Sequence, residues 1–222
     1  MPIEEWDPSP NFSSRDGRKQ IAIVNHITSG NFPGCLSWLQ NPASQGSAHF
    51  LVTITGRIIQ MVREGDKAWA NGIVNKPSWS LYDGTNPNLY TLSIEHEGFD
   101  GTLTEIQYQS SLFLHKELTA KYNIPIDTEH IIGHYRIDSV DRPNCPGPNF
   151  PWARLFNDLK GNSPTTIIQG VAKVAEVKAV DPDPDCYVVV CIRESLSTAF
   201  MAKTVTEGFA CKKLTLGLLQ QK

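Results

Sequence analysis

Short runs of apolar and β-branched residues recur along the first part of the chain and predict buried strands. The runs lie at 21–24, 48–54, 57–62, 90–97 and 130–132. Thr55-Gly56 separates the second run from the third, and a short turn of this kind between two such runs indicates a β-hairpin. The other runs alternate with helical segments, which favours a sheet covered by helices.

The strongest helical pattern covers 105–122. Thr104 is a suitable N-cap, and Gln107 three residues later completes a capping box. Asn123 fits the left-handed position after a helix, and Pro125 prevents continuation. The apolar face is predicted to consist of Ile106, Phe113, Leu114 and Leu118.

A second helix is predicted over 151–160, where Pro151 suits the first position and Gly161 the stop, and a short helix is predicted around 36–39. Residues 71–89 form a long irregular stretch, which in a compact domain is usually functional or mobile. The predicted fold class is α/β, with a central mixed β-sheet flanked by helices over 1–162.

The C-terminal part is predicted to be organised separately. Residues 163–185 form a linker with a partial element, and 186–222 form a small βαβ-containing module. Its strands are predicted at 187–192 and 209–216, with a helix at 196–207 between them.

Composition narrows the class of protein. Hydrophobic residues make up 40% and charged residues 19% of the 222 residues, which is typical of a globular protein. The net charge of -3 argues against a nucleic-acid-binding protein. No stretch reaches the roughly 18 apolar residues that a membrane span needs. The acidic N-terminus does not resemble a signal peptide, so we expect synthesis in the cytoplasm and, for any role outside, a separate route of release or export.

Two histidines and one cysteine stand out as candidate metal ligands. The odd number of cysteines argues against a disulfide framework, so most are expected to be buried thiols. His134 follows a short apolar strand, Cys145 lies in a proline-rich loop after it, and His26 ends its own strand. Nitrogen and sulfur ligands suit zinc, and a catalytic zinc has three protein ligands and one open position. The spacing alone leaves open that each residue is purely structural.

Short patches in a fixed order carry a resemblance to a known family. They are Asn25-His26, 47–50, 56–60, 68–72, Ser93-Ile94-Glu95, Gly133-His134, Cys145-Pro146-Gly147 and 150–152. Over 18–160 the chain resembles the zinc-dependent N-acetylmuramoyl-L-alanine amidases, a group that includes amidase-type phage lysozymes, wall-recycling amidases and peptidoglycan recognition proteins.

The resemblance implies roles for individual residues. His26, His134 and Cys145 correspond to the zinc ligands, at the rim of the sheet, and Glu95 to the general base. Many members carry a lysine that stabilises the oxyanion where this chain has Pro143, so Arg142 is the candidate for that role.

Other residues are expected to surround the substrate. His49 either acts in the reaction or packs behind the site, and Trp69 and Trp79 are candidates for lining the groove, with core packing as the alternative for Trp79. Glu97 shares a face with Glu95 and is expected to be a solvated carboxylate at the rim.

The resemblance further implies the reaction. Its substrate is bacterial peptidoglycan, and the bond cut is the amide between N-acetylmuramic acid and L-alanine. An N-terminus that does not resemble a signal peptide fits a phage endolysin or an autolysin, and it fits a wall-recycling enzyme equally well. A weak likeness of 186–222 to half of a glycan-binding, sporulation-related repeat favours the endolysin slightly, although an accessory or dimerisation element explains it as well. The alternatives are a non-catalytic recognition protein and a zinc hydrolase acting on a different amide.

Overall fold

The computed structural model describes residues 5–161 and the backbone of two short segments, 189–191 and 200–202. The chain divides into two compact units, Met1–Ile167 and Ile168–Lys222. The described strands and helices of the first unit are β1 (Glu5–Trp6), β2 (Phe12–Ser14), β3 (Ala22–Ile27), α1 (Gly34–Leu39), β4 (Phe50–Val52), β5 (Ile58–Gln60), β6 (Asp66–Ala68), β7 (Thr91–His96), α2 (Glu105–Tyr122), β8 (Ile131–Gly133) and α3 (Trp152–Leu159).

A six-stranded mixed sheet organises the first unit, in the order β1-β5-β4-β7-β3-β8. The β4–β5 pair is the predicted antiparallel hairpin, and the other neighbours in this sheet run parallel. Parallel strands that are covered on both faces carry nearly continuous apolar runs, and β3 begins with Ala22, Ile23 and Val24, all fully buried. The predicted α/β class with a central mixed sheet is therefore confirmed.

Helix α2 covers one face of the sheet and α1 covers part of the other. Ile23, Leu92 and Ile94 pack with Leu114 and Leu118 of α2, whereas Leu36 of α1 packs with Leu51 and Ile59 on the opposite face. Successive residues of a strand point to opposite faces. Leu92, Ile94 and His96 therefore face α2, and Glu95 faces the other way.

The bounds predicted for α2 are confirmed, but its predicted apolar face is partly wrong. Thr104 accepts a hydrogen bond from the Gln107 amide, and Asn123 has a φ of 52° after the last turn. Ile106 is exposed, and the buried face includes polar residues instead. Those buried on α2 with polar side chains are Gln107, Ser110, Ser111, His115 and Thr119.

Two strands are described in the second unit, β9 (Val189–Cys191) and β10 (Phe200–Ala202), and they pair antiparallel. The helix predicted over 196–207 is therefore wrong at Phe200–Ala202. The β-branched residues on both sides of this segment give it a strand propensity that competes with the helical pattern. The rest of the predicted module, 186–222, and the predicted linker, 163–185, lie outside the described residues, and the domain boundary at 162 stays a prediction.

Candidate metal centre

The sheet brings His26 and Glu95 side by side. In the parallel pair of β3 and β7, His26 is in register with Glu95, so both side chains leave the sheet on the face opposite α2. Both lie near the carboxyl ends of their strands. In open α/β sheets this edge is where ligands commonly bind.

His134 and Cys145 reach the same point from the other side of β3. Strand β8 pairs with β3 as far as Asn25 and Gly133, so His134 emerges directly beside His26, and the two ring centroids are 4.5 Å apart. The Tyr135 amide donates a hydrogen bond of 3.2 Å to the Cys145 carbonyl, which holds the cysteine loop against this turn. Cys145 Sγ lies 4.0 Å from His26 Nδ1.

Two glycines allow this close approach. A Cβ on Gly133 would lie 2.5 Å from the Tyr135 ring and 2.8 Å from Pro146. Gly147 has a φ of +116°, and a Cβ there would lie 2.2 Å from the Asp100 backbone. Because neither position has room for a side chain, the loop that carries Cys145 packs against its neighbours.

Burial sets the protonation of these groups. It lowers the pKa of His26 well below its usual value and that of His134 to about 4, so both imidazoles are neutral near pH 7. Burial also raises the pKa of the Cys145 thiol to about 12. It raises the pKa of Glu95 to about 8, against the opposing charge of Arg142.

The three candidate ligands fit a metal ion. One donor atom from each of His26, His134 and Cys145 lies within 4.8 Å of the others. Nε2 of both histidines is shielded from solvent and has no hydrogen-bond partner, and neither has Glu95 Oε2. Unpaired buried polar atoms are costly, and their convergence is explained if they serve a ligand. The group can therefore hold a metal.

The candidate ligands lie at the foot of a cleft of about 1090 Å³, which Glu95 also lines. Two of the other predicted site residues line it as well. Arg142 is exposed there, and its guanidinium donates a hydrogen bond to the Asp141 carbonyl. Trp69 is half-buried and donates from its indole nitrogen to Ser13 Oγ.

For His49 and Trp79 the structure agrees with the packed alternatives, whereas the expectation of a solvated Glu97 is wrong. His49 does not line the cleft, because its Nε2 lies 2.6 Å from the buried Arg15 guanidinium and its Nδ1 lies 2.9 Å from Ser93 Oγ. Trp79 is also buried, stacks on Tyr90 and donates to the Glu129 carbonyl. A carboxylate at a strand end can be buried where backbone amides face it, and this is the case for Glu97.

Glu97 is 2% exposed and is not a solvated rim carboxylate. Its two oxygens accept hydrogen bonds of 2.8 Å from the amides of Phe32 and Ile54. The carboxylate therefore ties the loop before α1 to the β4–β5 hairpin, and α1 forms part of the cleft wall.

Three apolar side chains on the rim of the cleft were not among the predicted site residues. Trp38, Ile73 and Phe99 line it and remain 61%, 71% and 64% exposed. Phe99 follows the strand that carries Glu95, and this position was a usable signal. Trp38 lies in a short helix and Ile73 in an irregular stretch, and no periodicity in the sequence predicts where such segments lie in the fold.

The fold and the site together indicate a class of enzyme. A His-His-Cys group beside a buried carboxyl, at the floor of an open cleft, is the arrangement of a metal-dependent hydrolase. Residues 16–148 match the family described as N-acetylmuramoyl-L-alanine amidase. The chain belongs to this family.

Individual relatives agree with this assignment. N-acetylmuramoyl-L-alanine amidase A of Achromobacter lyticus is 30% identical over 178 residues, covering 70% of this chain and 93% of the relative. The 1,6-anhydro-N-acetylmuramyl-L-alanine amidase AmpD of Salmonella typhimurium is 36% identical over 171 residues, covering 67% and 86%. The structure of the amidase AmiD from E. coli in complex with anhydro-N-acetylmuramic acid-L-Ala-D-gamma-Glu-L-Lys is similar with a TM-score of 0.54 at 27% identity, covering 67% of this chain and 59% of that one.

These findings confirm the enzyme class predicted from the sequence and favour it over a non-catalytic recognition protein. Among the described residues, no helix has the length and apolarity needed to cross a membrane.

Proposed function

We propose that this chain hydrolyses the amide between N-acetylmuramic acid and L-alanine in bacterial peptidoglycan, as an endolysin or autolysin, with zinc as its metal. The observation that carries the proposal is the convergence of unpartnered polar atoms on the cleft floor, from His26, His134 and Glu95, beside the Cys145 thiol. The names of the relatives supply the bond and the polymer.

Zinc is favoured by the chemistry of the donors. Two imidazoles that burial keeps neutral, and one thiol, form a nitrogen and sulfur set that suits zinc better than calcium or magnesium. When bound, zinc supplies a Lewis acid that polarises a carbonyl and lowers the pKa of water.

Glu95 is assigned as the general base. Its raised pKa, about 8, is close to the value at which a carboxylate accepts a proton and returns it near neutral pH. Glu95 takes a proton from the attacking water as the new C–O bond forms. It then delivers that proton to the departing nitrogen as the C–N bond breaks, which leaves the muramic acid as a free carboxylic acid and L-alanine with a free amine.

Arg142 is assigned to the developing oxyanion, in place of the lysine that many members carry at the position of Pro143. It lines the cleft and interacts electrostatically with both Glu95 and His134. A guanidinium stays protonated at any working pH and therefore offers a constant positive charge.

The cleft suits an extended, amphipathic substrate. Its volume is about 1090 Å³, and its lining includes Trp38, Trp69, Ile73 and Phe99. Aromatic and aliphatic side chains around a polar floor match a glycan or peptide strand whose ring faces are apolar and whose edges carry hydroxyl and amide groups.

The test is digestion of purified bacterial walls by the zinc-loaded chain. New L-alanine amino groups without new reducing sugars are expected, because an amide and not a glycosidic bond is cut. Glu95→Gln is expected to slow release by about 10²- to 10⁴-fold with zinc content unchanged. His26→Ala is expected to abolish both zinc binding and release, whereas the matched control His130→Ala, whose ring pairs with Asp127, should keep both.

The other outcomes contradict the proposal in distinct ways. Bound zinc with binding to walls but no release would favour the recognition protein. Cleavage of a soluble anhydro-muropeptide, as AmpD's name describes, with no action on intact walls would favour a recycling role over an endolysin or autolysin.

A further inference from the structure

His96 is a buried histidine that the proposed reaction does not use. It lies beside Glu95 on β7 but points to the opposite face, toward α2, and it is fully shielded from solvent. Its Nδ1 lies 3.0 Å from the main-chain carbonyl of His26. Since a carbonyl only accepts, Nδ1 carries the ring proton and donates it to the backbone of a candidate metal ligand.

The other nitrogen of the ring is also held. With the proton on Nδ1, Nε2 accepts the hydroxyl hydrogen of Ser111 at 2.8 Å. Ser111 and its neighbour His115 belong to the polar buried face of α2, and His115 Nδ1 bonds back to the Ser111 carbonyl at 2.7 Å. The His26 carbonyl therefore sets the tautomer of His96, and Ser111 of α2 helps to hold the orientation of its ring.

The same ring contacts the support of a second ligand. His96 packs edge-on against Phe150, with ring centroids 5.1 Å apart. Phe150 is buried at the end of the loop that carries Cys145, and its amide donates to the Gly147 carbonyl. One side chain thus joins the backbone of His26 to the loop of Cys145.

The position needs such support because β3 loses a neighbour there. The pairing of β3 with β8 ends at Asn25 and Gly133, so His26 and Ile27 are held by β7 alone within the described sheet. A hydrogen bond from behind restrains this end of the strand without entering the cleft.

We infer that His96 is a positioning residue for the metal centre, which fixes the main chain of His26 through its Nδ1–H and the Cys145 loop through Phe150. The inference rests on the metal centre proposed above. Groups that orient metal ligands from outside the coordination sphere typically change metal affinity by 10- to 100-fold.

The experiment measures Zn²⁺ affinity of the metal-free full chain by competition with a chromophoric chelator. His96→Leu removes the donor and keeps apolar bulk, and is expected to weaken affinity by about 10- to 100-fold. His96→Asn places an amide N–H near the position of Nδ1 and should recover most of it. The matched control is His115→Leu, equally buried in the same network but without contact to a ligand, and its affinity should stay within about twofold of the parent.

Co²⁺ substitution gives a second measurement. The charge-transfer band of a cysteine thiolate on cobalt is expected to shift or weaken in His96→Leu and to be retained in His115→Leu, because only the former change loosens the Cys145 loop. Urea unfolding of each metal-free variant separates a loss of positioning from a loss of fold.

Parental affinity in His96→Leu would overturn the inference, and so would an equal loss in His115→Leu, which indicates general destabilisation. If His96→Leu does not fold, the comparison is His96→Asn against His96→Gln, whose longer side chain is expected to carry its amide toward Ser111 and away from the His26 carbonyl. Equal affinities of these two would also overturn it. A parent chain that binds no zinc would overturn the proposed metal centre itself, and the inference with it.

Discussion

Zinc uptake by this site is predicted to release one proton from the Cys145 thiol. Burial raises the pKa of that thiol from an ordinary 9.0 to about 12, so the metal-free chain holds it protonated. Both imidazoles are neutral near pH 7, because burial lowers the pKa of His26 well below its usual value and that of His134 to about 4. A thiolate is the ligand form, and the metal must therefore displace this one proton.

The size of the effect follows from the pKa. The difference between a pKa of 9.0 and one of about 12 corresponds to roughly 4 kcal/mol. The metal–sulfur bond must supply this free energy in addition to what deprotonation of an exposed cysteine costs. The release of one proton makes the apparent zinc affinity increase about tenfold for each unit of pH. Glu95 would release a second proton on charging, so the measurement uses chains that carry Glu95→Gln.

Calorimetric titration with zinc at pH 5.5 to 6.5, in buffers of different ionisation enthalpy, counts the protons. This window lies below the pH at which water on zinc ionises. One proton is expected for the Glu95→Gln chain and none when Cys145→Ala is added, with much weaker binding. Zero protons from the first chain would refute the reasoning, because the thiolate would then exist before the metal arrives. An unchanged count after Cys145→Ala would assign the proton to another group.

Three further results are expected. The zinc-free chain should lose stability as pH falls below about 6.5. Burial lowers the pKa of three histidines in the folded chain, to about 3 for His49 and His96 and about 4 for His115. Below about pH 6.5 the unfolded chain therefore binds a proton at each that the folded chain does not, and the free energy of unfolding falls by roughly 1.4 kcal/mol per pH unit per histidine. An unchanged urea midpoint between pH 7 and 5.5 would contradict this. Arg15→Met should lower the free energy of unfolding by about 3 kcal/mol, since the buried main-chain carbonyls of Asn88, Leu89 and Thr91 lose their donor, and chemical denaturation measures this. Trp38→Ala should raise KM for wall fragments roughly tenfold through lost apolar contact, with zinc content unchanged; an equal effect of Trp6→Ala, exposed away from the cleft, would show that the loss is unspecific.

The apolar runs predicted that His26 and His134 follow strand ends, but the family resemblance was needed to select them and Cys145 as candidate ligands. An apolar run that stops at His26, another that stops before His134, and parallel pairing place both residues at one edge of the sheet. The alternation of strand residues placed Glu95 and Glu97 on one face of their strand, and the register shows that this is the side of His26.

The positions of His49 and Trp79 could not be predicted in the same way. Both side chains point into the protein, and what they meet there comes from distant segments: Arg15 for His49, and the Glu129 carbonyl for Trp79. The sequence does not distinguish a polar or aromatic side chain that faces solvent from one that is buried against a hydrogen-bond partner. The burial of Arg15 is harder to predict than that of His49, because a guanidinium is seldom buried unless hydrogen-bond acceptors surround it. Here Arg15 donates hydrogen bonds to four main-chain carbonyls.

The buried face of α2 shows why the support of the site escaped sequence analysis. An apolar stripe is the pattern that reports a packed helix, but on α2 serine, threonine, glutamine and histidine occupy much of the inward face. Buried polar groups are tolerated when they are paired, and the pairing partners of Ser111 and Gln107 are the ring of His96 and the carbonyls of Val52 and Glu97. Helix α2 therefore holds the ends of the strands that lie beside the cleft, and it does so through hydrogen bonds as well as apolar contacts. Because such bonds specify position more sharply than apolar packing, this polar face favours a rigid metal centre over the largest possible hydrophobic stabilisation.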